Sequence, residues 1–129
     1  MNVLDENIAD SQRQLLSCWR IKIRQIGYEI SYKGIKDEEI IPLLHQIGTV
    51  TFFSRDLGFY HRKFCHPTYC LVCLAVGQYE VANFIRRFLR HPTFDSQAKR
   101  MGKVVLVTHR RLRMWKLYGE KDDDLSWVY

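Results

Sequence analysis

Acidic residues stand in three places where carboxylates are suited to catalysis. Asp5 and Glu6 follow a short apolar start, Asp37 and Glu38 open a segment of helical periodicity, and Asp56 follows a β-branched and aromatic run. Clustered carboxylates repel one another unless a cation lies between them, so we expect bound metal. Hard oxygen ligands suit Mg²⁺ or Mn²⁺, which keep several waters and bind phosphate oxygens. The chemistry expected of these acids is metal-assisted hydrolysis of a phosphodiester.

Cations are concentrated in the second half of the chain. The net charge is +6, and residues 86–116 contain ten Lys or Arg but one acid. Such a segment favours a polyanionic partner, although a solvated basic helix face is the alternative. The residues predicted to contact a nucleic-acid backbone are Arg55, Arg62, Lys63, Arg86, Arg87, Arg110 and Arg111.

Each of the acids also has a structural interpretation. Asp5 is able to accept hydrogen bonds from the start of the next helix, and Asp56 suits a turn. Asp37 is a typical N-cap residue, while Glu38 favours the positive end of a helix dipole. These alternatives stay open at the level of sequence.

The hydrophobic pattern predicts how these residues are positioned. Strands are expected at residues 1–4, 28–31, 49–53, 69–76 and 103–108. Helices are expected at residues 10–26, at 37–47 with Pro42 shortening or kinking it, and at 81–90 before Pro92. Strands that are apolar on both faces and alternate with helices indicate an α/β fold with a mostly parallel, five-stranded sheet. The acids then follow the carboxyl ends of strands, where such sheets bind ligands.

Length and composition indicate one domain. The 129 residues are 47% hydrophobic and 26% charged, with no repeat or linker. We assign residues 1–118 to the domain and 119–129 to an acidic, aromatic tail. Its acids either fold back on the basic surface or belong to a frayed chain end. Because Trp115 and Trp127 would otherwise be large exposed aromatics, we expect this end to dock. The apolar run at 70–76 is too short to span a membrane, and no signal peptide is evident, so a cytoplasmic protein without membrane association is expected.

Four cysteines fit that location. Cys70 and Cys73 form a C-x-x-C pair, but both lie in a predicted buried strand. Residues three apart on a strand point to opposite faces, so this pair is not arranged for one zinc ion. We expect reduced cysteines in the core.

Three motifs resemble PIN-like proteins of bacterial toxin–antitoxin modules: Val-Leu-Asp-Glu-Asn at 3–7, Ile-Lys-Asp-Glu-Glu-Ile at 35–40 and Phe-Phe-Ser-Arg-Asp-Leu-Gly-Phe at 52–59. The resemblance implies a three-layer PIN-like fold and a metal-dependent ribonuclease of the VapC-like kind. It matches Asp5, Asp56 and the 37–38 pair to the metal-binding acids of the family. A fourth acid is expected near the end of the fourth strand, where Glu80 is the candidate.

The same resemblance implies RNA as substrate, a cognate antitoxin from a neighbouring gene, and a homodimer. Two other functions stay open. One is a PIN-like module that binds RNA or protein without cutting. The other is a phosphorelay receiver domain, which also carries acids after its first and third strands; it requires a Ser or Thr after the fourth strand and a Lys after the fifth, whereas this chain has Gly77 and Thr108 there.

Overall fold

The computed structural model describes residues 1–127. The helices are α1 (Asp10–Cys18), α2 (Asp37–Ile47), α3 (Val81–Arg90) and α4 (Gln97–Arg100). The strands are β1 (Asn2–Leu4), β2 (Arg24–Gln25), β3 (Val50–Ser54), β4 (Tyr69–Leu74), β5 (Lys103–Val107), β6 (Arg111–Lys116) and β7 (Asp123–Ser126). Short 3₁₀ turns occupy Leu57–Phe59 and Arg62–Phe64. Within residues 1–127, every helix is too short or too polar to cross a membrane.

The strands form one mixed sheet in the order β2-β1-β3-β4-β5-β6-β7. The pairs from β2 to β5 are parallel, while β6 and β7 are added antiparallel. The predicted α/β class with a mostly parallel sheet is confirmed. The number of strands is not: the described chain has seven where five were expected, because the basic segment at Arg111–Lys116 and the acidic segment at Asp123–Ser126 extend the sheet.

The region between β1 and α2 differs from its prediction. The first helix ends at Cys18 rather than near residue 26, because Arg20 adopts a φ of 60° and the Ile21 N–H bonds back to the Leu16 carbonyl at 3.0 Å. This reversal places the second strand at Arg24–Gln25 instead of residues 28–31. Residues 28–31 instead belong to a turn that begins at Gly27, whose φ is +86°.

Alternating residues of β4 supply two hydrophobic cores, one on each face of the sheet. Cys70 belongs to the core that includes residues of α1 and α3, whereas Cys73 belongs to the core that includes residues of α2. Both thiols are buried and free, which confirms the assignment of these cysteines to the core. The two cores fix the central strands, and therefore the residues that follow them, in place.

The acidic end of the chain packs on the body, as predicted for residues that lie within the described range. Three ion pairs join β6 to this segment: Arg111 with Asp124 at 2.8 Å, Arg113 with Asp122 at 3.2 Å, and Lys116 with Asp123 at 3.1 Å. The Trp127 indole Nε1 also donates to the Thr108 carbonyl at 3.0 Å. Tyr129, the other aromatic residue expected to dock, lies outside the described residues.

Candidate functional site at the ends of the parallel strands

A pocket of about 310 Å³ opens at the carboxyl ends of β1 and β3, and we call it the acidic pocket. Its lining residues are Asp5, Asn7, Ile8, Asp37, Arg55 and Asp56. The parallel part of the sheet has the order 2-1-3-4-5, in which the strand order reverses between β1 and β3. Doubly wound sheets bind ligands at this point, because the flanking loops diverge there and leave a crevice.

Strand pairing brings Asp5 beside the end of β3. Leu4 pairs with Phe53, and both side chains are fully buried. The Asp5 N–H continues the ladder by donating to the Phe53 carbonyl at 2.9 Å. The backbone of Asp5 is therefore held by the central sheet, although its side chain lines the pocket at the carboxyl ends of the strands.

The Ser54 hydroxyl connects the two loops of the acidic pocket. Ser54 Oγ donates to Asp5 Oδ2 at 2.7 Å and accepts a hydrogen bond from the Asp56 N–H at 2.9 Å. The residue is 1% exposed, so water does not readily replace either bond. Ser54 thereby sets the separation between the loops that carry Asp5 and Asp56.

Burial raises the pKa of Asp5, and the negative charges of Asp37 and Asp56 raise that pKa further. Hydrogen bonds from the Ser54 hydroxyl and the Glu6 N–H act in the opposite direction. A carboxyl group whose ionisation is disfavoured by two neighbouring carboxylates is one that a bound cation would stabilise. Asp37 and Asp56 thus act electrostatically on Asp5 across the pocket.

Asp37 and Asp56 reach the pocket from different elements. Asp37 is the first residue of α2, and the N-cap position belongs to Lys36 with no side-chain capping bond, so Asp37 does not cap the helix. Asp56 does have a structural role, because its Oδ1 accepts from the Gly58 N–H at 2.9 Å at the start of the 3₁₀ turn. Both carboxylates remain exposed to solvent.

Glu6 and Glu38 lie outside the lining of the acidic pocket. Glu6 accepts from the Gly34 N–H through both carboxylate oxygens, at 3.0 and 2.8 Å. It also approaches Gly27 so closely that an added Cβ would meet Glu6 Oε2 at 2.9 Å. These contacts tie Glu6 to the turn at residues 27–34. Glu38 lines a neighbouring pocket together with Asp37 and Asp56.

Gln25 holds the loop that follows β1, and sequence analysis did not identify it. Its Nε2 donates to the carbonyls of Asp5 at 3.0 Å, Glu6 at 3.2 Å and Ile8 at 3.1 Å. The side chain is fully buried. The roles of Gln25 and Ser54 follow from contacts across the sheet, for which no local sequence pattern exists.

Arg55 is the predicted nucleic-acid-binding cation that lines the acidic pocket. Its Nε donates to the Val76 carbonyl at 3.0 Å, which anchors the guanidinium. Arg62 and Lys63 are exposed in the second 3₁₀ turn.

The remaining predicted cations are distributed elsewhere. Arg86 stacks on Trp19 with 3.7 Å between its Cζ and the ring centroid, and Arg87 lies 4.2 Å from the Trp127 ring centroid. Arg110 and Arg111 line a separate pocket with Asp124, to which Arg111 is paired. The structure therefore does not gather the seven cations on one surface with the acids.

Glu80, the candidate fourth acid, lies outside the lining of the acidic pocket. Glu80 Oε1 accepts from the Gly77 N–H at 2.7 Å, and His109 Nε2 lies 2.9 and 3.0 Å from the two carboxylate oxygens. The bond from the Gly77 N–H, followed by that from His109, lowers the pKa of Glu80.

The donor set of the acidic pocket suits a hard cation, but its carboxylates are not drawn together around one position. Within residues 1–127, no three His, Cys, Asp or Glu side chains are grouped closely enough to ligate one ion together. Mg²⁺ usually keeps several waters and binds proteins through one or two carboxylates, so Asp5 with Asp56 or Asp37 fits that requirement.

No protein-family model, curated protein or solved structure matches the chain.

Proposed function

We propose that the protein is a metal-dependent endoribonuclease with a three-layer PIN-like arrangement, acting as the toxin of a toxin–antitoxin pair. The observation that supports this most directly is the placement of Asp5, Asp37 and Asp56 around one pocket at the switch point of a parallel sheet. The three residues come from separate elements, so their convergence is a property of the fold. The motif resemblance in residues 3–59 supplies the reaction class.

Asp5, together with Asp56 or Asp37, would hold Mg²⁺ or Mn²⁺ through two carboxylates, with waters completing the coordination. When bound, such an ion supplies charge stabilisation at the phosphate and lowers the pKa of an attached water. Asp5 is held by the sheet ladder and by Ser54, which limits its movement. Arg55 lines the same pocket and is anchored through Nε to the Val76 carbonyl, so its guanidinium would bind a phosphate oxygen.

The test is cleavage of a mixed set of labelled RNAs by the purified protein with Mg²⁺, Mn²⁺ or EDTA. Asp5→Asn and Asp56→Asn are each expected to lower the cleavage rate by at least about 10- to 100-fold, because loss of a group that merely supports a metal ligand already costs that much. Asp10→Asn is the matched control, because Asp10 is an exposed aspartate outside the acidic pocket. Circular dichroism establishes that each variant is folded.

A second function is that of a module that binds RNA or a partner protein without cutting. The observation that favours it is the absence, within residues 1–127, of a preassembled three-ligand metal site. A folded wild-type protein that neither cleaves RNA nor gives heat on titration with Mn²⁺ would establish this function in place of the nuclease.

The receiver-domain function draws on the 2-1-3-4-5 order, which receivers share. Against it, β5 is followed by Thr108 and by His109, which pairs with Glu80, where a receiver needs a lysine. Stable labelling of Asp56 by acetyl phosphate would support the receiver function.

A further inference from the structure

The Tyr60 side chain joins the C-terminal segment, residues 119–127, to the turn that carries Asp56. Its Oη donates to Asp122 Oδ2 at 3.1 Å, although the two residues are 62 positions apart in the chain. Burial raises the pKa of Tyr60, and the hydrogen bond to Asp122 raises it further, so the phenol is protonated and donates at physiological pH. A hydrogen bond to a carboxylate is stronger than one between neutral groups, so this contact is a firm link between the turn and the segment.

Asp122 is more shielded than Asp124, which lies in the same segment. Asp122 Oδ2 also lies 3.2 Å from an Nη of Arg113, and the side chain of Asp122 is 24% exposed. Asp124 pairs with Arg111, and its side chain is 55% exposed. Exposed ion pairs contribute little to stability, whereas a shielded carboxylate with two partners keeps a defined position. Asp122 is therefore suited to hold Tyr60 in place.

A short turn connects Tyr60 with Asp56. The Tyr60 N–H donates to the Leu57 carbonyl at 3.0 Å, and the Phe59 N–H donates to the Asp56 carbonyl at 3.4 Å. Asp56 Oδ1 accepts from the Gly58 N–H at 2.9 Å. Asp56 and Tyr60 are thus the two ends of one hydrogen-bonded 3₁₀ turn. A displacement at one end of so short an element is passed to the other.

Two further contacts hold this turn, one at its start and one in its interior. Ser54 Oγ accepts from the Asp56 N–H at 2.9 Å. Phe59 is 6% exposed and contacts Phe52 edge-to-face, with 5.8 Å between the ring centroids. The final residue of the turn is held through the Tyr60 hydroxyl. The C-terminal segment therefore contributes to the restraints on the element that carries Asp56.

We propose that Asp122 and Tyr60 are positioning residues of the metal site, through which the C-terminal segment fixes Asp56 at the acidic pocket. This inference rests on the proposed function. Both residues lie outside the lining of the pocket, so they act through the turn and not on the ion. Mg²⁺ demands near-ideal octahedral geometry, and a carboxylate on a loosened turn meets that demand less often. A segment distant in the sequence is thereby a working part of the site.

The test is titration calorimetry with Mn²⁺ on the full chain. Tyr60→Phe removes the hydroxyl, and Asp122→Ala removes its acceptor. Each is expected to raise the Kd roughly tenfold, the lower end of the cost of losing a group that orients a metal ligand. The double variant should bind no more weakly than Asp122→Ala, since both changes break one bond. Asp122→Asn retains an acceptor oxygen for Tyr60 and should keep the wild-type Kd.

Asp124→Ala is the matched control, because it also removes a carboxylate of this segment that pairs with an arginine of β6. Circular dichroism establishes that each variant is folded. A wild-type Kd in folded Tyr60→Phe overturns the proposal. Equal effects of Asp122→Ala and Asp124→Ala, or effects of Tyr60→Phe and Asp122→Ala that multiply in the double variant, also overturn it.

Cleavage of labelled RNA by the same proteins separates this inference from the nuclease. Mn²⁺ binding that depends on Tyr60, without cleavage by wild type, overturns the nuclease alone. Metal-dependent cleavage by wild type, with the Kd for Mn²⁺ and the rate unchanged in Tyr60→Phe, overturns the positioning role alone. A folded wild type that gives no heat with Mn²⁺ overturns both.

Discussion

Ser54 Oγ donates a hydrogen bond to Asp5 Oδ2 across 2.7 Å, joining two residues that are 49 positions apart in the chain. Because the same oxygen accepts from the Asp56 N–H, one buried hydroxyl orients two of the acids on which the proposed chemistry depends. Ser54 does not line the acidic pocket, so we regard it as a positioning residue.

Ser54→Ala is expected to lower the free energy of unfolding by about 1–3 kcal/mol, because it leaves the partly buried Asp56 N–H and one oxygen of Asp5 without their partner. It should also raise the pKa of Asp5, since the Ser54 bond favours the ionised form. Urea unfolding and the pH dependence of Mn²⁺ binding measure the two effects. Ser54→Thr retains the hydroxyl and should restore both; an Ala variant that matches wild type in both would contradict the assignment.

Asp5 makes the metal-free protein less stable as the pH rises. Its pKa in the folded state is raised above 3.8, so the folded protein retains a proton that the unfolded chain has released. The free energy of unfolding therefore falls as pH increases from the unfolded pKa through the raised value. Asp5→Asn removes this dependence. In urea unfolding without metal, the variant should gain stability relative to wild type between pH 4 and pH 7.

Bound Mn²⁺ should reverse the difference in stability between Asp5→Asn and wild type. At a Mn²⁺ concentration a hundred times the Kd, wild type should gain about 2.7 kcal/mol of stability, whereas Asp5→Asn should gain much less. Asp10→Asn is the control and should follow wild type under both conditions. A difference between Asp5→Asn and wild type that does not change with pH would show that Asp5 does not carry the raised pKa.

Gln25→Ala should lower the free energy of unfolding by about 2–3 kcal/mol, because three backbone carbonyls of the loop after β1 lose one buried donor. The loop carries Asp5, so the affinity for Mn²⁺ should also fall roughly 10- to 100-fold. Urea unfolding and titration calorimetry measure these effects. Gln14→Ala, which changes an exposed glutamine bonded to Asp10, should stay within about 0.5 kcal/mol of wild type.

Trp127→Ala should destabilise the docked C-terminal segment. The change removes the bond to the Thr108 carbonyl and the packing against Phe84, whose ring centroid lies 5.9 Å away. We expect the free energy of unfolding to fall by about 2–3 kcal/mol, below the usual range for truncation of a large aromatic core residue, because the Trp127 ring is half-buried. Limited proteolysis followed by mass spectrometry should show earlier cleavage after Gly119 in the variant. Equally rapid cleavage in wild type would contradict docking in solution.

Several features of the site could be predicted from local sequence. Two local patterns each predict a buried strand followed by polar residues. One is the apolar run that ends at Asp5, and the other is the β-branched run that ends before Arg55 and Asp56. The parallel arrangement followed from strands apolar on both faces. Asp37 at the start of a helix was equally a matter of local pattern.

The position of β2 could not be predicted from local sequence. Residues 10–26 carry apolar side chains at helical spacing, but the helix ends at Cys18 because the positive φ of Arg20 reverses the chain. Arg24–Gln25 then pairs with β1 as an edge strand, which gives its backbone hydrogen-bond partners. Tertiary pairing of this kind overrides local propensity.

The sequence by itself determined the class of the fold, the central strands, and the positions of Asp5, Asp37 and Asp56, since each depends on residues adjacent in the chain. Only the tertiary structure decided that Glu6 binds Gly34 rather than the pocket, that Asp124 pairs with Arg111, and that Ser54 bridges two loops. These outcomes depend on strand register and on where the chain reverses. A side chain's partner is set by that geometry, whereas its burial is set largely by its own hydrophobicity.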